Sequence, residues 1–181
     1  ILKKHIKEKG IYNIKTVESC WENAAPELIG KHDYVIASYS LMMRDIVPAL
    51  KKMNDTANKK VILFWFAGVP TWEQLLADLY PIVHGKGYFP GPKTDLIYGA
   101  LTTMGISAKV EPLLDTSFSH HFSSRDEVIE NMRRRLNVQT DEFDTLFETS
   151  MHRYFKESGD GFYFDDKTHY VKISWKSKTL V

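Results

Sequence analysis

A single cysteine, Cys20, stands among 181 residues. That scarcity excludes a disulfide framework and any zinc site built on several thiolates, and it fits a reducing, cytoplasmic setting. Long apolar runs are missing too: the longest, Val61–Val69, is far short of the ~20 residues a membrane-spanning helix needs. Neither sign of charge dominates. Lys and Arg number 24 against 23 Asp and Glu, a net charge of +1, so no overall field draws the chain to DNA or lipid. Nucleic acid and membrane are therefore not expected as partners. Glycine is sparse where it would matter most, because no Gly-rich turn joins a strand to a helix. Gly85-Lys86-Gly87 follows a helix instead, so it is not a dinucleotide-binding fingerprint. What is present is 43% hydrophobic and 13% aromatic, which excludes disorder. A chain of this length forms one domain, residues 1–181, and buries roughly 70% of its unfolded surface without a metal or disulfide.

The elements of the first half alternate strand and helix, the pattern of a parallel sheet with helices on its faces. The first residues, Ile1–Gly10, read as the tail of a helix stopped by Gly10, and the chain as the C-terminal part of a longer protein. Ile14–Cys20 alternates weakly as a strand. Tyr34–Tyr39 is a short strand, and Lys60–Ala67, apolar almost throughout, is a central parallel strand. Between these two, Asp45 caps a helix with Pro48 in its first turn. Thr71-Trp72-Glu73-Gln74 is a capping box opening a helix that Pro81 kinks or ends, and another helix follows Thr94. In the second half, Ala108–Leu114 and Ser117–Phe122 read as one strand bent near Asp115. Ser124-Arg125-Asp126-Glu127 is a second capping box. Helices over about 125–136 and 141–157 make a helical insertion, 124–157, with Phe143, Phe147 and Phe155 in a core. Residues 170–176 alternate as a half-exposed strand, paired antiparallel at a sheet edge beside the apolar one.

Several groups carry chemistry of their own. Trp21-Glu22-Asn23 directly follows a strand, where ligands bind open parallel sheets. It could stack on a base and hydrogen-bond to it, or be an ordinary strand-end turn. Ser38-Tyr39-Ser40 ends the next strand and could line a pocket or be plain loop. Tyr88 and Phe89, in the Gly85–Gly91 stretch, are two aromatics over a cleft or part of a connector. His120 and His121 are adjacent in a strand and point to opposite faces, so they do not form a metal pair; no metal site is expected. Arg133-Arg134-Arg135 reads as a solvated helix face, and Cys20 as a small buried filler rather than a nucleophile.

In order and in local motifs this chain resembles the class I, Rossmann-like methyltransferases that use S-adenosylmethionine. Cys20-Trp21-Glu22-Asn23 resembles the turn after that family's third strand. His32–Ser38 resembles its fourth strand, which begins with Asp, and Asn58–Phe64 its fifth, led in by basic residues. Tyr170–Lys176 resembles its seventh, antiparallel strand. The departures are the Gly-rich turn after the first strand, the acid ending the second, and the Asn/Asp-Pro-Pro-aromatic motif, which Ser38-Tyr39-Ser40 replaces. The resemblance implies an α/β fold with a mostly parallel sheet and an antiparallel edge pair. Its N-terminal strands would be missing, about 60–90 residues for typical connections, and a helical insertion would precede the last strand. It also implies methyl transfer from S-adenosylmethionine to a small-molecule acceptor in the intact protein, the chain alone being inactive. Cys20, Trp21, Glu22, Ser38 and Tyr39 would face the donor; Tyr88 and Phe89 would face the acceptor. With strands missing, the Tyr34–Tyr39 edge is exposed and invites self-association. A non-enzymatic α/β interaction or regulatory domain is the other reading, with the aromatic insertion as its docking surface.

Overall fold

The computed structural model describes residues 2–179; Ile1, the first residue of the expected helix remnant, lies outside them. The elements are α1 (Leu2–Glu8), α2 (Pro26–Ile29), β1 (His32–Ser38), α3 (Ile46–Thr56), β2 (Ala57–Phe66), α4 (Thr71–His84) and α5 (Thr94–Thr103). There follow β3 (Lys109–Leu113), β4 (His120–Phe122), α6 (Arg125–Leu136), α7 (Asp144–Ser150), a 3₁₀ turn at Met151–Arg153, β5 (Lys156–Ser158), β6 (Gly161–Phe164) and β7 (Tyr170–Lys176).

Four strands form a sheet in the order β1-β2-β7-β3, and three form a smaller one, β4-β6-β5. β2 runs parallel to β1 and antiparallel to β7, which puts the apolar strand at the centre as its composition required. The expectation of a mostly parallel sheet needs correction. Because β7 is inserted antiparallel between β2 and β3, both of its junctions are antiparallel, against one parallel pair. It is therefore an interior strand, buried at Tyr170, Val171, Ile173, Ser174 and Trp175, not the half-exposed edge strand expected. The strand expected over Ile14–Cys20 is also absent. Ile14 and Val17 are both exposed, so that stretch has no apolar layer to lie against.

Alternation along the strands sorts the sheet into two faces. Val61, Leu63 and Trp65 of β2, with Ile173 and Trp175 of β7, are buried with Leu50 and Met53 of α3 and Ile97 and Leu101 of α5. The opposite face carries Tyr34, Ile36, Ile62 and Phe64, of which Tyr34 and Ile36 stay exposed. α3 begins where Asp45 accepts the Val47 N–H at 3.3 Å. The Thr71 capping box does not form: Pro70 is the N-cap, and Thr71 Oγ1 instead accepts the Lys167 N–H at 2.8 Å. Glu73, on the first turn, points into the interior. The helix also continues past Pro81 to His84. At α6 Ser124 Oγ accepts the Glu127 N–H as the motif requires, and the Glu127 carboxylate reaches one residue further back, accepting the Ser123 N–H at 2.7 Å.

A second core joins Leu75, Leu76 and Leu79 of α4 to Val128, Met132 and Leu136 of α6, and to Phe147, Met151, Phe155, Phe162 and Phe164. Phe147 and Phe155 are buried here as expected, while Phe143 is only partly buried and packs at the margin. The helix expected over 141–157, however, stops at Ser150, and a β5–β6 hairpin follows. Gly159, at φ +60°, makes that hairpin's turn. Gly161 lets β6 close on β4, since a Cβ there would sit 2.2 Å from the Phe122 carbonyl oxygen. The insertion is thus helices plus a small sheet. For the same reason the bend near Asp115 separates two strands in two different sheets.

Asp166 ties the segment before β4 to the start of β7. Its carboxylate accepts the Phe118 N–H at 2.8 Å, the Tyr170 hydroxyl at 2.5 Å, and both the N–H and the hydroxyl of Thr168. Burial works to raise its pKa, but hydrogen bonds from Thr168, Tyr170 and Phe118 outweigh it and hold the group below its ordinary 3.8. A depressed carboxyl contributes stability above its unfolded pKa and loses it as pH falls through the folded value. Asp166→Asn should therefore lower stability by about 1–3 kcal/mol at pH 7 and shrink the loss of Tm on acidification below pH 4. Thermal melts of both proteins from pH 7 to pH 3 check this. An unchanged acid slope would assign the pH dependence to other carboxylates.

Candidate functional site

The carboxyl end of β1 is where the site is built. Ahead of α2 and β1, the chain folds a tight turn in which the N–H groups of Asn23 and Ala24 both donate to the Cys20 carbonyl, at 3.1 and 3.0 Å. Ala24 is buried and anchors the turn. α3 holds it from below. Lys52 Nζ donates to the carbonyls of Trp21 and Glu22 at 2.6 and 3.1 Å and lies 5.4 Å from the Trp21 ring centroid. Trp21 Nε1 donates to the Ala49 carbonyl at 3.3 Å. These contacts set the indole on the flank of α3 with a neighbouring cation on its π face.

A cavity of about 380 Å³ opens between this turn and β1. Cys20, Trp21 and Glu22 form one wall, Val35, Ile36 and Ala37 another, and Ser40, Met42, Met43 and Met53 close it. Its size is that of a small-molecule site, and the methionines make an apolar wall that adapts to a flat ligand. Of the residues singled out by sequence, Cys20, Trp21 and Glu22 come together here, while Ser38 and Tyr39 stand outside its lining and Ser40 is inside. Cys20 is exposed, not the buried filler expected; with no strand before it, the turn carries it to the surface.

Tyr39 lies at the turn out of β1 with φ +50°, a conformation side chains rarely adopt. Its ring packs against Phe66, Phe118 and Tyr170 at 5.4–5.6 Å between centroids. Burial, then the Asp166 charge, push its hydroxyl pKa up. Tyr88 and Phe89 do not line the cavity. Phe89 is exposed and stacks under the Arg44 guanidinium at 5.3 Å. Gly91 packs against Met42 so closely that a Cβ would sit 2.5 Å from its sulfur. Tyr88 is turned toward α4, its hydroxyl donating to Glu73 Oε1 at 3.2 Å, and burial followed by the Glu73 charge raises its pKa.

In sequence Glu73 carries no role beyond lying inside the Thr71–Gln74 motif. It is 3% exposed and paired with Lys93 Nζ at 2.8 Å. Its only sequence signal is a carboxylate in the first turn after a sheet strand. In the arginine run, Arg133 pairs with Asp144, and Arg135 bonds to Asn131 and covers the Phe164 ring, so only Arg134 faces solvent freely. His120 and His121 pack on different aromatics, Phe122 and Tyr163. Among the described residues no group of three His, Cys, Asp or Glu side chains converges as a metal site, and no helix is long and apolar enough to cross a membrane.

Solved structures supply a likeness to this arrangement. The YcgJ protein of Bacillus subtilis superposes with a TM-score of 0.58 at 10% identity, covering 98% of this chain and 76% of YcgJ. The BH2331 protein of Bacillus halodurans C-125, provisionally designated a methyltransferase, superposes with a TM-score of 0.59 at 12% identity, covering 98% and 77%. The likeness is one of fold. No protein-family model matches the sequence, and no curated protein matches it.

Proposed function

We propose that this chain belongs to a methyltransferase using S-adenosylmethionine, acting on a small-molecule acceptor in a reducing, cytoplasmic setting. The observation that carries the reading is the cavity of Cys20, Trp21 and Glu22 beside β1, in a sheet whose last strand enters antiparallel next to its apolar centre. The residues present fit the purine end of such a donor. Trp21 and the methionines offer flat apolar walls, Glu22 a carboxylate for an amino group, and Ser40 a hydroxyl. Ser38 and Tyr39, at the end of β1, would flank the reacting groups. Tyr88 and Phe89 would border the acceptor, with Phe89 as the exposed partner. When bound, the donor supplies a sulfonium methyl that passes to the acceptor by in-line displacement. The protein's share is to hold the two in line and to exclude water, which is where most of the rate would come from.

The chain has no Gly-rich turn between strand and helix: the β1–α3 connection has no glycine and the β2–α4 connection only Gly68. Lacking that turn and a ribose-binding carboxylate forfeits two charge-assisted contacts of ~1.5–3 kcal/mol each, roughly two to four powers of ten in affinity. By itself the chain should therefore bind S-adenosylmethionine in the millimolar range and transfer no methyl group. Titration at micromolar protein, read by tryptophan fluorescence, tests this with Trp21→Phe as control. The expected signal saturates at millimolar donor and is lost in Trp21→Phe. A signal indifferent to Trp21 would overturn the site, and micromolar binding would show that the Gly-rich turn is dispensable.

A further inference from the structure

The charges of the chain nearly balance, 24 Lys and Arg against 23 Asp and Glu, but they are not evenly spread. Apart from the cavity beside β1, another of about 330 Å³ opens where the first turn of α4 meets the 3₁₀ turn and the β5–β6 hairpin. Arg153, Lys156 and Lys167 line it against a single carboxylate, Asp165. Every wall comes from residues 71–167, none from β1 or from what precedes it. Asp165 is engaged by the lysines, with Lys156 Nζ at 2.8 Å and Lys167 Nζ at 3.7 Å. Among the described residues Arg153 meets no carboxylate within 4.0 Å. Asp78 stands outside the lining, and both its oxygens are taken, one by Gln74 Nε2 and one by the Tyr154 hydroxyl, each at 2.8 Å. Glu157 reaches only His152, at 4.0 Å.

We infer that this cavity binds a phosphate monoester. Three cations against one carboxylate leave two positive charges in surplus, which matches the roughly −1.5 to −2 that a phosphoryl ester carries at neutral pH. A ligand carboxylate would answer only half of it. The start of α4, a helix of 14 residues, adds its partial positive charge on the same side, since Thr71 and Gln74 belong to the lining. Arg153 presents a planar fork that meets phosphoryl oxygens two at a time, and no carboxylate competes for it. Lys156 and Lys167, both exposed and on flexible stems, can swing from Asp165 to the ligand as point charges. Size decides between free phosphate and an ester. A phosphate ion fills only a small part of the cavity, which is as large as the smaller pockets that hold organic ligands. Tyr154, Phe155 and Phe164 give the remainder an aromatic lining, so the group that carries the phosphate is a small apolar or aromatic body.

The inference does not depend on methyl transfer and is tested without a donor. Phenyl phosphate, titrated calorimetrically into the full chain at neutral pH and fixed ionic strength, should bind one to one, and inorganic phosphate about tenfold more weakly or worse. Arg153→Gln should raise the dissociation constant for phenyl phosphate about tenfold or more, with circular dichroism unchanged. Arg134→Gln removes an exposed arginine outside the cavity and should leave binding as it was. Asp165→Asn carries the opposite expected sign. It deletes the competing carboxylate, releases both lysines and should tighten binding severalfold. Absence of saturable phenyl phosphate binding overturns the proposal, as does a dissociation constant indifferent to Arg153→Gln. Equal affinity for inorganic phosphate and phenyl phosphate also overturns it, because the cavity would then take no ester body. So does weaker binding by a folded Asp165→Asn variant, since the carboxylate and not the surplus of cations would then organise the cavity.

Discussion

Lys93→Met should cost about 3–5 kcal/mol of stability, read from the denaturant midpoint at constant m. The substitution keeps the apolar stem and deletes the charge. What remains is Glu73, buried on the first turn of α4 with only the Tyr88 hydroxyl to meet it. One of its oxygens, Oε2, already has no hydrogen-bond partner. Taking away the ammonium leaves a carboxylate with neither water nor a countercharge, and desolvation then dominates. The second variant decides whether charge or packing is responsible. Lys93→Met with Glu73→Met removes both ions, and most of the loss should return, because paired buried ions and well-packed apolar groups are often close in free energy. If the double variant is no more stable than Lys93→Met alone, the loss comes from packing, and the ion-pair account fails.

Trp65→Ala should cost a similar 3–5 kcal/mol, roughly, by a different route. The indole is fully buried at the centre of the sheet, with its ring centroid 4.6 Å from that of Phe66. Its Nε1 donates to the Pro92 carbonyl at 2.6 Å. Alanine therefore leaves a large cavity and a carbonyl without its donor. Trp65→Phe separates the two, keeping most of the volume and losing only the hydrogen bond, for about 1–3 kcal/mol. Pro92 and Lys93 are adjacent, so Trp65 and the Glu73–Lys93 pair hold the same loop from two sides. Combining Trp65→Phe with Lys93→Met should cost measurably less than the sum of the two, since a loop released once has little more to lose. Strict additivity would show that the two tethers act on separate structures.

That loop also shows how far residue patterns reach. Gly85, Gly87 and Gly91 suggest a free connector, and the tethers to Glu73 and Trp65 are invisible to local reading because their partners lie 15–27 residues away. Capping boxes behave similarly. Ser124 caps its helix as written, and Glu127 reaches back to the Ser123 N–H. Thr71–Gln74 has the same form, yet Lys167 and Thr168 from the far end of the chain take up the Thr71 hydroxyl and N–H. At the candidate site, Trp21 and Glu22 are legible as a polar–aromatic turn near a strand edge. Ser40, Met42, Met43 and Met53 are not, because no spacing announces that a loop and a helix face will meet there.

By itself the sequence determined the elements whose signal is local and dense. An apolar run long enough for only one strand, Val61–Phe66, had to lie at the centre of a sheet, where both faces are covered. Alternation in Tyr170–Lys176 made a strand, and Asp45 and Ser124 started helices by satisfying free N–H groups. Tertiary structure decided everything that needed a distant partner. Ile14–Cys20 has enough alternation for a strand but no neighbour to pair with, and an unpaired strand in water gains nothing over coil. Residues 154–157 carry helical spacing, yet Gly161 can approach the Phe122 carbonyl, and the hairpin this permits satisfies more backbone groups and buries Phe162 and Phe164. Burial of Glu73 was decided the same way, because only the folded chain brings Lys93 to meet it.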